Sequence, residues 1–354
     1  MVSRVESSSS VLAIHPSIPE RLSIQAEKRR LTILTLTLTH SLPDALEIQI
    51  HKPSFHFRPG QWLFLNVPSI STHQWHPFTI TSCPYDGYIS IHVRAVGDFT
   101  RALASAMGAG FAQASLYDAL DPHGIYDIAL AAGEEMPKVR IDGPYGAPAE
   151  DVFDNEIAVL VGTGIGVTPW ASILKNIWHM RAGPDPPRRL RRVEFIWVCR
   201  DTTSFEWFQA LLASLEAQST TAADREEMEG GKGGGRTPRT GTEFLRIHTY
   251  LTQKLDVDAA NNIVLNSVGA ARDPLTELNS RTNFGRPDFG RLLVGMREGI
   301  LNREYGEGVG LKRGQRTDVG VYFCGPNAAA RDIERACKMA SVSEVRFRFW
   351  KEHF

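Results

Sequence analysis

The sequence reads IAVLVGTGIGVTP from Ile157 to Pro169. A short run of apolar residues, the pattern of a buried strand, leads into closely spaced glycines, and a helix-like segment follows from Pro169 to Met180. A buried strand that opens into a glycine-rich turn and a helix presents backbone N–H groups and a positive helix end to a pyrophosphate. We therefore expect a nucleotide-binding turn here.

The segments after this turn predict a parallel sheet. Val193 to Val198 is a second short apolar run, a helix is predicted around Ser204 to Leu215, and Phe244 to Leu251 resumes strand-like sequence. Buried strands that alternate with helices indicate an α/β domain with a parallel sheet. The stretch 217–241 is rich in glycine and charged residues and is predicted to be a disordered insertion.

The first part of the chain follows a different pattern. Leu34 to Thr39 alternates apolar and polar residues with period two, Ala45 to His51 reads as its partner strand, and a turn at Arg58–Gln61 leads into another strand. Short strands at this spacing favour a small antiparallel β-barrel. The predicted organisation is a flexible lead-in at 1–21, a barrel domain at 22–150 and an α/β domain at 151–354.

Composition sets the outer bounds. The 354 residues are 42% hydrophobic with a net charge of -1, which gives no general attraction to nucleic acid. No apolar run reaches the ~18 residues of a membrane-spanning helix, and no secretory leader is recognisable, so a cytosolic chain is expected. The cysteines form no Cys-x-x-Cys pair, which predicts free thiols and no metal site; they are Cys83, Cys199, Cys324 and Cys337.

Residues 76–82 read HPFTITS and lie between two strand-like runs. Downstream follow, in order, GPYG at 143–146, the glycine-rich turn, VCRD at 198–201 and YFCGP at 322–326. This ordered set resembles the NADPH oxidase and ferric reductase family, with a fold like that of ferredoxin-NADP reductase. The likeness is closest to fungal NADPH oxidases and runs from about residue 22 to the end. It implies an FAD-binding barrel and an NADPH-binding α/β domain.

The resemblance implies a flavin site in the barrel. The hydroxyl of Thr79 is implied to lie near flavin N5, and the terminal ring of Phe354 to cover the flavin face. His92 and Arg94 are two residues apart on one strand and therefore share a face, although a solvent-facing pair is the alternative. The implied FAD contacts are His76, Pro77, Phe78, Thr79, Ile80, Thr81, Ser82, His92 and Arg94.

The resemblance also implies the nicotinamide site. Val167 stands where the ordinary dinucleotide fingerprint would place its third glycine, so the turn is of the ferredoxin-NADP reductase kind. Cys324 is implied to lie beside the nicotinamide C4, with a core thiol as the alternative. The implied contacts are Gly162, Thr163, Gly164, Ile165, Gly166, Val167, Thr168, Pro169, Cys199, Arg200, Cys324, Gly325 and Pro326.

Charge near the sheet edge predicts the cofactor preference. Arg200 follows a predicted strand at the edge where an adenosine ribose would lie, and a cation there can pair with a 2'-phosphate, which favours NADPH. The alternative is a solvent-facing arginine paired with Asp201. The arginine-rich run 188–192 is interpreted as a solvated turn.

The implied reaction is hydride transfer from NADPH to FAD, followed by transfer of single electrons toward haem and oxygen with formation of superoxide. In the family, six membrane helices with haem-ligating histidines precede this part, and this sequence shows none. Haem is therefore expected only in a separate membrane half, with cytosolic regulatory subunits as further partners and the cytosolic face of a membrane as the location. The alternatives are a soluble ferric or cytochrome-type flavin reductase, and a flavin-less regulatory module that binds oxidase subunits.

Overall fold

A computed structural model describes most of the chain. The described residues are 33–39, 45–107, 125–127, 137–184, 186–200, 202, 208–209, 211–217, 244–254, 263, 272–305, 309–310 and 316–352. The predicted lead-in at 1–21 and Phe354 lie outside these residues, as does the predicted insertion apart from Ala217. The helix predicted around Ser204–Leu215 is described only in part, and its described residues are helical.

The first part of the chain forms two antiparallel sheets. One has the strand order β5-β2-β1-β6 and the other the order β4-β3-β7. They meet at a bridge between Ile80 and Ile91, beside a 2.8 Å hydrogen bond from the Thr81 N–H to the Ser90 carbonyl. The elements are β1 (Ile33–Thr39), β2 (Ala45–His51), β3 (Trp62–Asn66), β4 (His76–Thr79), β5 (Ile89–Arg94), α1 (Asp98–Ala106), β6 (Ile125–Asp127) and β7 (Arg140–Tyr145).

The second part forms one parallel sheet with helices on both faces. The strand order is β11-β10-β9-β8-β12-β13, so successive strands run outward from β8 first to one side and then to the other. In such a sheet, ligands bind outside the carboxyl ends of the strands where the order reverses, here between β8 and β12. The elements are β8 (Ile157–Thr163), α2 (Thr168–Ala182), β9 (Arg192–Cys199), β10 (Leu245–Leu251), β11 (Asn283–Phe284), α3 (Phe289–Leu301), β12 (Thr317–Cys324), α4 (Asn327–Ala340) and β13 (Val345–Lys351).

Apolar side chains cover both faces of the parallel sheet. Trp170 and Ile177 of α2 pack with Phe195 of β9 on one face, while Leu293 of α3 and Ile333 of α4 pack on the other. Each such fully buried side chain contributes roughly 1.5–3 kcal/mol relative to exposure. The predicted order, an antiparallel domain followed by a parallel-sheet α/β domain, is confirmed. None of the helices in the described ranges is both long and apolar enough to cross a bilayer.

The structure confirms the solvated turn for Arg188, Arg189 and Arg191, which are exposed, but corrects this interpretation for Arg192. Arg192 is only 3% exposed because it starts β9, and its guanidinium lies 2.7 Å from Glu194 Oε1 and over the ring of Tyr305. The other carboxylate oxygen of Glu194 lies 2.8 Å from His248 Nε2. Although burial alone would raise the pKa of Glu194, the contacts with His248 and Arg192 hold that pKa below its ordinary value. The arginine is thus part of a buried ionic cluster.

Replacing Glu194 with Gln should lower the free energy of unfolding by about 3–5 kcal/mol, since it removes the carboxylate charge that faces the buried Arg192 guanidinium. Chemical denaturation followed by circular dichroism measures the change. As a matched control, Glu334→Gln breaks an exposed pair with Lys338, for which a loss below about 0.5 kcal/mol is expected. Similar small losses in both variants would contradict a stabilising role for the buried cluster.

Candidate functional site

The glycine-rich turn lies at the carboxyl end of β8, where the strand order reverses. A 3-10 turn, Gly164–Val167, joins β8 to α2. Gly164 has a left-handed φ of 54°, and a Cβ built there would meet nothing within 4 Å, so its backbone faces open space. A Cβ on Gly166 would lie 2.6 Å from the carbonyl oxygen of Cys324. The glycines therefore permit both a left-handed turn and close contact with β12.

The helix that follows the turn begins without a side-chain cap, and at its first residue the Thr168 N–H donates to the Ile165 carbonyl of the 3-10 turn. No side chain caps the first turn of α2 among the described residues, and Pro169 stands in that turn. The first N–H groups of a helix lack intrahelical acceptors, and together with the helix dipole they favour an anion. The local structure therefore fits the pyrophosphate contact predicted for residues 162–169.

The end of β12 lies beside this turn. Cys324 pairs with Gly162 in the parallel register of β12 and β8. Its thiol is buried, and burial raises the pKa of Cys324 to about 12. A thiol with this pKa stays protonated at neutral pH, so it offers a small apolar surface and a weak donor but no thiolate nucleophile.

Two further groups at this place fit a bound cofactor. The hydroxyl of Thr163 is buried and has no hydrogen-bond partner within the described residues. Any side chain at Gly325, which has a φ of 155°, would collide with that threonine. The Thr163 hydroxyl could hydrogen-bond to a ligand, and the absence of a side chain at Gly325 lets a ligand approach the backbone closely. Exposed Pro326 follows Gly325 and precedes α4.

Glu352 belongs to this group, and the sequence analysis assigned it no role. It is 3% exposed, its Oε1 accepts the Ala149 N–H at 2.7 Å, and its own N–H donates to the Phe323 carbonyl at 2.8 Å. Burial raises the pKa of Glu352 to about 7, and its charge contributes to the raised pKa of Cys324. The available signal was a carboxylate that directly follows an aromatic-rich strand, β13.

The carboxyl end of β9 holds the predicted ribose-phosphate residues. Cys199 is buried, and its carbonyl accepts both the N–H and the hydroxyl of Thr252, at 2.9 and 3.0 Å. Arg200 follows directly and is exposed. An exposed arginine at the carboxyl edge fits contact with a phosphate. The alternative partner Asp201 lies outside the described residues.

The HPFTITS segment starts as β4 and places His76 against α1. The imidazole stacks on Phe99 with ring centroids 3.6 Å apart and an interplanar angle of 18°. Burial lowers the pKa of His76, and its Nε2 has no hydrogen-bond partner in the part of the chain that the structure describes. A neutral, unpartnered imidazole nitrogen fits a polar group of a bound flavin. Thr79, at the end of β4, is 7% exposed, while Pro77 is exposed and Phe78 is half-buried.

The rest of this segment is held by hydrogen bonds to β5. The hydroxyl of Thr81 lies 2.8 Å from both Ser90 Oγ and His92 Nδ1, and Ser82 Oγ accepts the Ser90 N–H at 2.8 Å. Burial lowers the pKa of His92 to about 4. Ile80 lies in the core, and Arg94 is exposed two residues beyond His92. Buried Ile80, Thr81 and Ser82 are therefore placed to support the segment, whereas Arg94 is accessible to a ligand.

The two parts of the chain meet at this segment. Ser172 of α2 donates its hydroxyl proton to the Ser82 carbonyl at 2.6 Å, and both residues are fully buried. The helix that starts at the glycine turn therefore packs on the end of HPFTITS. Predicted flavin and nicotinamide residues are thus brought to one junction, although their roles as ligands stay predictions.

A separate cavity of about 630 Å³ lies at the opposite, amino-terminal edge of the parallel sheet. Its arginines, which include Arg188, Arg189 and Arg191, face a comparable number of carboxylates, among them Asp151 and Asp154. Because the glycine turn and the ends of β8, β9 and β12 lie at the other edge, this cavity is not the candidate cofactor site.

Comparison with known proteins gives matches for both parts of the chain. Residues 29–149 match a family described as an FAD-binding domain, and residues 155–226 match one described as a ferric reductase NAD binding domain. Among solved structures, a ferredoxin NADP+ reductase from Neisseria gonorrhoeae with bound FAD and NADP aligns with 91% of this chain and 99% of its own, at 13% identity and a TM-score of 0.48.

The curated relatives are oxidases from several kingdoms. NADPH oxidase 1 of Mus musculus is 34% identical over 95% of this chain and 48% of its own length. A superoxide-generating NADPH oxidase heavy chain of Dictyostelium discoideum is 32% identical over 95% of this chain and 56% of its own. The chain thus spans about half the length of these relatives. From its FAD-binding and NAD-binding parts and these relatives together, the chain belongs to the NADPH oxidase and ferric reductase family, as predicted.

Proposed function

We propose that this chain is the NADPH dehydrogenase module of a superoxide-generating oxidase. The observation that carries the proposal is the buried contact between Ser82 and Ser172, which joins the HPFTITS segment to the helix of the glycine turn. When bound, FAD would supply the chemistry of taking up one hydride, and so two electrons, from NADPH and of releasing these electrons one at a time, as haem and oxygen require. The two relatives described above carry oxidase names, and one of those names includes superoxide generation.

In this proposal the flavin is held by residues 76–82 with His92 and Arg94. The Nε2 of His76, which has no partner among the described residues, hydrogen-bonds to a polar group of the flavin. Arg94 forms an ion pair with the FAD pyrophosphate. Thr79 presents its hydroxyl at the end of β4. Buried Thr81 and Ser82 keep this edge in place through their hydrogen bonds to β5.

The nicotinamide cofactor is held by the turn at 162–169. Backbone N–H groups at the start of α2 bind the pyrophosphate, and Arg200 binds the 2'-phosphate that distinguishes NADPH from NADH. Cys324, Gly325 and Pro326 border the place for the nicotinamide. The protonated thiol of Cys324 and the buried carboxyl group of Glu352 exclude water there. Phe354, which lies outside the described residues, is proposed to cover the flavin.

The proposed partners follow from the family. A haem-bearing membrane domain receives the electrons, oxygen is the final acceptor, and cytosolic regulatory subunits control the assembly at the cytosolic face of a membrane. The boundaries 22–150 and 151–354 are proposed for the two domains.

A soluble ferric or cytochrome-type reductase is the second candidate function. It is favoured by the ferric reductase description of the family that residues 155–226 match.

The purified chain, loaded with FAD, should reduce ferricyanide rapidly with NADPH and form superoxide only slowly. Ferricyanide takes electrons from the reduced flavin directly, whereas efficient superoxide formation requires the haem path. Stopped-flow absorbance and superoxide dismutase-sensitive cytochrome c reduction measure the two rates. Fast superoxide formation without added membranes would contradict the half-enzyme assignment, and a protein that retains no FAD would favour the regulatory alternative.

Replacing Arg200 with Glu should raise the Michaelis constant for NADPH far more than that for NADH. The loss of a charge-assisted hydrogen bond to the 2'-phosphate costs on the order of 1–3 kcal/mol, or about 5- to 150-fold. The matched control is Arg188→Glu, which makes the same charge change at the opposite edge of the sheet and should leave the ratio of the two constants unchanged. Equal effects of Arg200→Glu on both cofactors would rule out a phosphate contact.

Replacing Glu352 with Gln should remove a pH dependence of stability. The pKa of Glu352 in the folded chain is about 7, above its ordinary value of 4.5, so its contribution is present below pH 4.5 and is lost as the pH rises through 7. This group should lower the wild-type free energy of unfolding by roughly 2–4 kcal/mol between pH 5 and about pH 9. The Gln variant keeps an acceptor for the Ala149 N–H and should not show this fall.

Denaturant titrations across this pH range measure the effect. The control is Glu344→Gln, which changes an exposed carboxylate and should keep the wild-type slope. An identical pH slope in wild type and Glu352→Gln would mean that Glu352 titrates normally.

A further inference from the structure

Three metal-binding side chains converge where the two parts of the chain meet. Cys83 directly precedes and Asp86 ends a 3-10 turn, Pro84–Asp86, that follows the HPFTITS segment, and His179 lies on the last turn of α2. One donor atom from each, the thiol sulfur, a carboxylate oxygen and an imidazole nitrogen, all lie within 4.8 Å of one another. We propose that Cys83, Asp86 and His179 form a binding site for a Zn²⁺ ion that ties the flavin part to the nicotinamide part.

Two of the separations between the donor atoms are close to those expected around one ion. Asp86 Oδ1 lies 3.5 Å from Cys83 Sγ and 3.8 Å from His179 Nε2. Tetrahedral zinc with ordinary bond lengths places neighbouring sulfur, nitrogen and oxygen ligands ~3.4–3.6 Å apart. The 3.8 Å separation is too long for a hydrogen bond, but a small inward movement of the imidazole would satisfy a shared ion. One water completes the four ligands.

The two oxygens of Asp86 have different surroundings. Oδ1 faces the sulfur and the imidazole, whereas Oδ2 accepts the Cys83 N–H at 2.9 Å and lies 3.7 Å from Lys175 Nζ. Contacts on Oδ2 therefore orient the carboxylate, and Oδ1 points toward Cys83 and His179. The hydrogen bond from the Cys83 N–H is of the kind that fixes a ligand and typically strengthens metal binding.

The imidazole is also held in place. The ring of Tyr85 stacks on His179 with centroids 5.0 Å apart and an interplanar angle of 22°. The side chain of His179 is 32% exposed, which gives the ion an entrance from solvent, while Cys83 is fully buried behind it. Zinc, a borderline-soft ion, suits this mixed set of sulfur, nitrogen and oxygen donors better than calcium or magnesium.

Binding requires one covalent change. The Cys83 thiol loses its proton to solvent as the sulfur–zinc bond forms, and nothing is oxidised or reduced. The thiolate of Cys83 and the carboxylate of Asp86 together balance the two positive charges of Zn²⁺. Lys175, 3.7 Å from Asp86 Oδ2, is then a positive charge that the site itself does not neutralise. The sequence predicted no metal site because it has no Cys-x-x-Cys pair, but these ligands come from two distant parts of the chain.

Cobalt and zinc titrations of the full chain loaded with FAD test the site. One Co²⁺ per chain should produce a near-ultraviolet band from the thiolate–cobalt bond and visible bands of tetrahedral cobalt, and Zn²⁺ should remove both. Calorimetry should give one Zn²⁺ per chain, with a higher midpoint of thermal unfolding when zinc is bound. Cys83→Ser and His179→Gln should each weaken zinc binding by at least about tenfold.

Lys175→Gln is the matched control. It breaks the Asp86 contact at the same junction but removes no donor, so zinc binding should persist in this variant. Since His179 is partly exposed, His179→Gln should fold normally, and its wild-type circular dichroism spectrum would verify this. Absence of the thiolate–cobalt band in the folded wild type, unchanged zinc affinity in either donor variant, or equal loss of binding in Lys175→Gln would overturn the proposal.

Discussion

The close contact between the glycine turn and the end of β12 is the constraint on which the candidate site depends. Gly162 pairs with Cys324 across the two central strands, and Gly166 approaches the Cys324 carbonyl so closely that a Cβ would stand 2.6 Å from it. Because Gly164 and Gly166 have no side chains, the turn can lie against β12 at Gly166 and stay open at Gly164. The buried thiol, the unpartnered hydroxyl of Thr163 and the uncapped start of α2 all take their positions from this packing.

The junction between the two parts depends on a small set of polar contacts. The Ser172–Ser82 hydrogen bond is fully buried, and the Ala149–Glu352 hydrogen bond ties the residue after β13 to the end of the first domain. Each such bond contributes about 1 kcal/mol net, but leaving one partner unsatisfied costs more. These contacts therefore specify the relative position of the parts more strongly than their net energies suggest. The cluster of Cys83, Asp86 and His179 lies at the same junction.

Charged side chains buried in the parallel sheet connect neighbouring strands within one part of the chain. The Arg192–Glu194–His248 cluster connects β9 and β10 in register. Replacement of the whole cluster by apolar side chains would change the free energy of unfolding little. Removal of a single member is more costly, because it leaves buried charge that is not fully compensated. Glu194 is tolerated among the apolar residues of β9 because Arg192 on the same strand and His248 on β10 both contact its carboxylate.

Much of this protein could be predicted from its sequence. The alternation in β1 and β2, the apolar run of β8 and the glycine turn before α2 depend on local periodicity and on the backbone freedom of glycine, so they can be recognised without long-range contacts. The ordered motifs from HPFTITS to YFCGP also indicated the family, which the comparisons confirmed. These features are encoded within short stretches of chain.

Tertiary structure alone decided which distant side chains meet. Arg192 looked like part of a solvated run because the Tyr305 ring that covers it, and the His248 that shares its partner Glu194, come from distant parts of the chain. Glu352 received no role because its burial and its raised pKa arise from packing beside Ala149 and Cys324. Burial and side-chain pairing depend on contacts between residues far apart in the chain, and no local pattern in a single sequence records them.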